Sequence, residues 1–148
     1  MVHAITNADY YALAEFRYRI RMFLEGSAKA ARSLRLEPEQ YELLLAVRGM
    51  PPGRQATIQA LAKQLCVRHN TVVERVDRLA RPGYIRRSRG SVDGRVVNVS
   101  LRARGVRLLD TLARKRLAEL RRSGPDLIRA LGKVVRAERR RTKLGSSR

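Results

Sequence analysis

The sequence predicts a mainly α-helical protein that carries one small β-hairpin. Apolar residues recur at three- and four-residue steps over most of the 148 residues, which is the period of a helix with one buried face. The period changes to alternation only between residues 84 and 101, where a turn separates two short strand-prone runs. Hydrophobic residues make up 44% of the chain, which is enough to bury a core. We therefore expect one domain spanning residues 1–148.

Four helices are predicted before the hairpin. The first has more apolar surface than one small domain easily covers, which favours dimerisation through this helix. Pro38 suits the first turn of the second helix, and Thr57 can cap the third. Segments with proline and glycine, at residues 51–53 and 82–83, end the second and fourth helices. The predicted ranges are 9–34, 38–50, 58–65 and 69–81.

The hairpin is followed by two further predicted helices. Strand-prone runs at residues 84–89 and 95–101 flank a short turn, so arginine lines the tip of the hairpin. Helical periodicity resumes at residue 103 and is expected to break at Ser123-Gly124-Pro125. A last helix is then predicted from residue 126 to about residue 136.

The charge balance of the chain points to a polyanionic partner. Basic residues outnumber acidic residues by 33 to 13, which gives a formal net charge of +20 at pH 7. Most of the excess lies in residues 68–107 and 129–148. Nucleic acid is the commonest partner of such a field. We expect residues 138–148 to be a basic, flexible tail that contributes only sequence-independent affinity.

The sequence argues against a membrane or secreted protein. No apolar run approaches the roughly 18 residues that a membrane span needs, and the first residues lack the pattern of a signal peptide. The one cysteine, Cys66, cannot form an internal disulfide, which fits a reducing compartment. We therefore expect a cytoplasmic protein with no membrane partner. We also expect Cys66 to be buried and structural rather than a redox sensor.

Motifs for catalysis, cofactors and metals are missing from the sequence. There is no phosphate-cradling glycine loop, no His-Glu-x-x-His and no Ser-x-x-Lys. His3 and His69 are far apart, and no carboxylates are spaced to join them as metal ligands. We therefore predict that the protein is not an enzyme and that it uses neither a metal nor a cofactor.

The third and fourth helices with the hairpin form a winged helix-turn-helix arrangement. A helix about 10–12 Å across fits the major groove of DNA, where each base pair shows a distinct hydrogen-bonding pattern. The preceding helix braces it, and an arginine on the hairpin can reach the adjacent minor groove. Residues 37–101 are thus the predicted DNA-binding lobe, and residues 9–35 and 103–137 are predicted to dimerise.

Three stretches carry a family resemblance. They are the helix-turn-helix segment from Leu61 to Leu79, the wing triplet Asp93-Gly94-Arg95, and Leu101-x-x-x-Gly105-x-x-Leu108-Leu109 after it. Through them the chain resembles the MarR family of bacterial transcription regulators over roughly residues 10–135. The resemblance implies a homodimer that binds a pseudo-palindromic operator in double-stranded DNA, as a ligand-responsive repressor. Arg68 stands where the family often has a serine cap, so this helix start gains a charge directed at phosphate.

The resemblance also implies which residues contact DNA. It places residues of the fourth helix in the major groove and Arg95 in the minor groove, with Asp93 holding Arg95 in position. Glu74 has two interpretations, since it can accept a hydrogen bond from cytosine or pair with Arg78 at the rim. The candidate DNA-binding residues are Arg68, His69, Asn70, Thr71, Val73, Glu74, Arg78, Arg89, Asp93 and Arg95.

Two questions stay open at this point. The family binds small, often aromatic, anions, which makes Tyr10, Tyr11, Phe16 and Tyr41 candidate effector-binding residues. An aromatic stripe at helical spacing is, however, also typical of a core.

The alternative function is a sequence-indifferent basic protein that coats DNA or RNA. This function explains the net charge, but it does not require a recognition helix and a wing.

Overall fold

The computed structural model describes the backbone of residues 4–145 and the side chains of residues 4–136. Within this range five helices and one antiparallel hairpin follow the predicted order, so the mainly α-helical class with a small hairpin is confirmed. The elements are α1 (Asn7–Ser33), α2 (Pro38–Arg48), α3 (Ile58–Leu65), α4 (His69–Ala80), β1 (Ile85–Arg89), β2 (Val97–Leu101) and α5 (Ala103–Gly145).

The chain divides into two compact units. One unit extends from Ala28 to Arg114 and contains the winged helix-turn-helix lobe. The other combines the part of α1 up to Ser27 with the part of α5 from Lys115 onward. Both long helices therefore contribute a segment to each unit.

The core of the lobe takes one face from each of its elements. Leu44 of α2, Leu61 of α3 and Val76 of α4 are fully buried, and Ile85 of β1 and Val99 of β2 complete the layer. Burial of each side chain of this size contributes about 1.5–3 kcal/mol. Helix α4 is therefore fixed by packing along its whole length.

Local hydrogen bonds set the ends of α3. Thr57 Oγ1 accepts from the Ala60 N–H at 3.0 Å, as the sequence predicts for a cap. At the other end, Cys66 adopts a left-handed conformation with φ +54°, and the Val67 N–H donates to the Ala62 carbonyl at 3.1 Å. This is the Schellman arrangement that usually has glycine at the left-handed position. Because the turn lies at the surface, Cys66 is exposed, and the expectation that it is buried was wrong.

The hairpin is joined to the lobe by a third extended segment. β1 and β2 pair in antiparallel register from Ile85 opposite Leu101 to Arg89 opposite Val97. On the other edge of β2, the Val99 N–H donates to the Ala56 carbonyl at 2.8 Å. The residues before α3 thus bind β2 and anchor the wing.

A glycine allows α5 to begin close against the residue that precedes β1. A Cβ on Gly105 would lie 2.1 Å from the Tyr84 carbonyl oxygen. The Arg102 N–H donates to this same oxygen at 2.9 Å. The Gly105 of the family resemblance is therefore required by a close approach between two backbones.

The region after the hairpin differs from the prediction. The expected break at Ser123-Gly124-Pro125 is wrong, because α5 is one helix with Pro125 inside it, and it continues to Gly145 instead of ending near residue 136. Contacts with α1 explain the continuity. Beyond Pro125, Asp126 pairs with Arg19 at 3.6 Å and Lys133 Nζ donates to Glu15 Oε2 at 3.0 Å. These contacts hold the segment after Pro125 against α1, although proline locally favours the end of a helix.

Candidate nucleic-acid interface

The fourth helix has one buried face and one open face. Val72, Val76 and Leu79 are buried in the lobe. On the opposite side the predicted contacts Arg68, His69, Asn70, Glu74 and Arg78 are all exposed, while Thr71 and Val73 are half-buried at its edge. A packed helix that presents polar side chains in this way can contact and distinguish the edges of base pairs.

The start of α4 has no side-chain cap. Arg68 occupies the capping position with an extended backbone, φ −71° and ψ 152°, and its side chain accepts no bond from the helix. The first N–H groups of the helix therefore stay open to an anion, with a guanidinium beside them.

A groove lies between the start of α3, helix α4 and the wing. It encloses about 460 Å³ and is lined by polar side chains that include Gln59, His69, Arg87 and Arg95, with Val73 on its apolar side. Gln59 and Arg87 were absent from the sequence-based set. Gln59 lies two residues after the capping Thr57, in the first turn of α3, which is the sequence signal that could have included it.

Asp93 positions the arginine at the tip of the wing. The backbone N–H and the side-chain Nε of Arg95 both donate to Asp93 Oδ1, at 3.0 and 3.3 Å. The Arg95 side chain is nevertheless 93% exposed. Arg89 is also tied to the tip, since its guanidinium donates to the Gly94 carbonyl at 3.0 Å. The wing therefore offers a guanidinium that is held in place and free to meet a ligand.

A further ion pair connects the wing with α4. Arg87 of β1 pairs with Asp77 of α4. The pair joins residues on two different elements, so no local sequence pattern predicts it. It fixes the hairpin relative to the helix and keeps a positive charge at the wall of the groove.

Glu74 stays exposed and pairs with no basic residue among the described side chains. Arg78, which one interpretation made its partner, is also exposed and unpaired within the same range. Arg75 instead lies partly buried and contacts Glu42 of α2 at 3.9 Å. The carboxylate of Glu74 is thus available to accept a hydrogen bond.

The predicted effector residues are spread over both units. Tyr10 and Tyr11 of α1 are exposed, and Phe16 is half-buried. Tyr41 belongs to the core of the lobe. A cavity of about 230 Å³ lies between α1 and α5 in the other unit, lined by Met22, Phe23, Arg116 and Leu127 among others, and by none of the four predicted residues.

Arg116 is the buried cation at this cavity. Its residue is 7% exposed, and its guanidinium donates to the Phe23 carbonyl at 3.1 Å, lies 5.1 Å from the Phe23 ring centre and pairs with Glu119. Gly26 makes room for it, since a Cβ there would lie 2.9 Å from the guanidinium. Arg116 Nε is buried without a partner among the described residues.

Metal and membrane features were searched over the part of the chain that the structure describes. No group of three or more His, Cys, Asp or Glu side chains in that part is arranged to hold a metal ion. His3 lies outside the described residues. None of the described helices has the length and apolar character needed to span a bilayer.

Comparison with known proteins identifies the lobe. The model of the MarR family matches residues 36–97. The structure is similar to AbsC, a MarR family transcriptional regulator from Streptomyces coelicolor, at 18% identity and a TM-score of 0.74 over 96% of this chain and 99% of the other. A comparison with curated proteins gave no significant match.

Two further solved structures share the fold. A mutant of MepR from S. aureus bound to an oligodeoxyribonucleotide has 22% identity and a TM-score of 0.62, over 97% of this chain and 99% of the other. PcaV from Streptomyces coelicolor, in complex with its natural ligand, has 20% identity and a TM-score of 0.58, over 87% and 91%. The MarR family model thus matches the lobe, and the fold of the chain is similar to that of MarR family transcriptional regulators.

Proposed function

We propose that the protein is a homodimeric, ligand-responsive repressor that binds a pseudo-palindromic operator in double-stranded DNA in the cytoplasm. The observation that carries the proposal lies in one unit of the chain. There an exposed face of α4 and the held guanidinium of Arg95 line the same groove. Such a pair fits a major groove and the minor groove beside it.

Each candidate DNA contact has a role in this proposal. Asn70 can pair bidentately with adenine, and Glu74 can accept from cytosine N4. His69, Thr71 and Val73 line the edge of the same helix, where Val73 can contact a thymine methyl group. The phosphate-directed charges are Arg68, Arg78 and Arg89, and Asp93 orients the minor-groove residue Arg95.

Exposed apolar side chains support the homodimer. In the unit formed by the two long helices, Met22 and Leu24 of α1 and Leu117, Ile128 and Val135 of α5 are each 46–72% exposed. An apolar surface of this extent marks an interaction site. A second copy of the chain would cover it through a two-fold interface.

The cavity beside Arg116 supports the effector part of the proposal. Its volume and apolar walls suit a small organic molecule, and Arg116 and Arg19 each have a buried Nε without a described partner. A ligand with an aromatic body and a carboxylate complements that lining. We propose this cavity as the effector site; Tyr10, Tyr11 and Phe16 lie on the same helix α1.

The second candidate function is a sequence-indifferent coat on DNA or RNA, which the net charge of +20 favours. Footprinting on the protein's own promoter region separates the two. The repressor should protect a two-fold symmetric site whose half-sites lie about 10 bp apart. A coat protein should protect no preferred site, and its binding should have almost no specificity ratio.

The Asn70→Ala variant sharpens this experiment. It should relax base preference at one position of each half-site, symmetrically, at a cost of about 1–3 kcal/mol per contact. Arg48→Ala, an exposed change on α2, should leave the preference intact. An asymmetric site, or base preferences that do not change in the Asn70→Ala variant, would contradict the proposed docking.

The effector part of the proposal is tested with benzoate, an aromatic carboxylate. Benzoate should raise the melting temperature of the protein and release the protected DNA site. No change in either would contradict the effector part.

A further inference from the structure

A row of exposed basic side chains runs along the second part of α5. Lys115, Arg122, Arg129 and Arg136 follow one another at intervals of seven residues, and all four are exposed. Seven residues make nearly two helical turns, so these side chains lie on one side of the helix over about 32 Å. Lys133, four residues after Arg129, widens the row. The α5 basic row is defined as Lys115, Arg122, Arg129, Lys133 and Arg136.

Carboxylates neutralise only part of the row. Lys133 donates to Glu15 at 3.0 Å, and Arg129 pairs with Asp126. The remaining three members pair with no acidic residue among the side chains that the structure describes. The row is therefore a surface of uncompensated positive charge.

The row occupies its own face of α5. Arg116 and Ala130 lie on the buried face. The exposed apolar residues Leu117, Ile128 and Val135 form a separate strip beside the row. A second copy of the chain that covers this strip leaves the basic face open to another partner.

We propose that the α5 basic row is a second contact surface for the backbone of double-stranded DNA and that it binds without regard to sequence. The row belongs to a different unit from α4 and the wing, so the proposal goes beyond operator recognition. Cations repeated at steps of about 10 Å along a rigid rod complement the closely spaced phosphates of a duplex. The row contains no aromatic side chain on which an unpaired base could stack, which favours duplex over single-stranded nucleic acid.

The test compares three full-length variants on a random-sequence duplex of about 30 bp. The first combines Lys115→Gln, Arg122→Gln, Arg129→Gln and Arg136→Gln; glutamine preserves helix propensity. The second, Arg122→Gln with Arg136→Gln, breaks no ion pair of the described residues and serves if the first fails to fold. The control removes the same charge from exposed positions of α1, by substituting glutamine for Arg17, Arg21, Lys29 and Arg32.

Affinity is measured by fluorescence anisotropy between about 50 and 200 mM salt. The logarithm of the affinity falls linearly with the logarithm of the salt concentration, and each lost phosphate contact should decrease the magnitude of this slope by about 0.9. We expect a decrease of about 3–4 for the fourfold row variant, about 2 for the double variant and less than about 1 for the α1 control. A variant in which Arg122, Arg129 and Arg136 are replaced by lysine keeps the charge of the row, so it should have the salt dependence of the wild type.

Two outcomes would overturn the proposal. Equal decreases for the row and the α1 control would mean that only the overall charge matters, and an unchanged slope in the double variant would mean that the row does not contact DNA. Vesicles of phosphatidylglycerol provide the competing test. If the row variants lose binding to these vesicles while they keep wild-type affinity for the duplex, the surface faces a membrane instead.

Discussion

At the wing, one carboxylate oxygen determines where an exposed arginine points. Asp93 Oδ1 accepts from both the backbone and the side chain of Arg95, while the Arg95 side chain stays 93% exposed. A guanidinium that is already oriented loses less rotamer freedom when it enters a groove. A narrow minor groove has a strong negative potential, so its shape as well as its charge is read by such a residue.

Arg95→Ala should therefore weaken binding to the operator more than binding to random DNA. The two affinities are compared by anisotropy at one salt concentration. Arg48→Ala removes the same charge from an exposed site on α2 and should lower both by a similar, small factor. Equal losses of affinity on both duplexes for Arg95→Ala would show that Arg95 contacts only phosphate.

Arg68 places a positive charge at the start of α4, where a capping side chain would stabilise the helix instead. Its side chain forms no cap, whereas serine at this position would accept from the open N–H groups of the helix. Arg68→Ser should raise the free energy of unfolding by about 1 kcal/mol and lower the salt slope of DNA binding by about 1. Urea denaturation and anisotropy measure the two effects.

The control for this prediction is Arg68→Ala. It removes the charge without supplying a capping oxygen, so it should lower the salt slope equally and give no gain in stability. A stabilised Arg68→Ala variant would show that the effect comes from relief of charge repulsion rather than from a cap.

Helix α5 is the element on which sequence and structure disagree. Proline inside a helix leaves a carbonyl without its donor and costs about 3 kcal/mol. Because α5 is continuous, Pro125→Ala should stabilise the protein by about 1–3 kcal/mol in urea denaturation at a fixed protein concentration. Pro52→Ala, in the loop after α2, should change stability by less than about 1 kcal/mol. A destabilised Pro125→Ala variant would indicate a helix break at this position.

The sequence predicted the elements whose signals are local. The Thr57 cap and the 3.6-residue periodicity placed α3 and α4 to within a residue, and the family resemblance implied that Asp93 holds Arg95. Features that depend on distant residues were missed. The pair between Asp77 and Arg87 joins two elements, and the continuity of α5 depends on contacts with α1 that no local pattern shows.

At the scale of the whole molecule, the exposed apolar strip on the two long helices predicts a dimer. Sedimentation at micromolar concentration should give a mass near 34 kDa, twice the 16.8 kDa of one chain. Ile128 is 72% exposed, so Ile128→Glu should bury a charge in the interface and shift the mass toward one chain.

Leu45 provides the matched control for the dimer. It is 46% exposed on α2, in the other unit, and Leu45→Glu should leave the dimer mass unchanged. A wild-type mass near 17 kDa would contradict the dimer, and so would an Ile128→Glu variant that sediments as the wild type does.

The exposed turn at Cys66 gives each chain a single attachment point for a probe. The chain contains one cysteine, and it lies between the two helices of the helix-turn-helix, three residues before α4 begins. A nitroxide attached to this thiol needs no engineered mutation and reports on the position of α4. In a two-fold dimer the two nitroxides form one pair, so pulsed electron paramagnetic resonance would measure the separation of the two α4 helices directly. The same distance recorded with and without an effector would show whether the helices move apart when DNA is released.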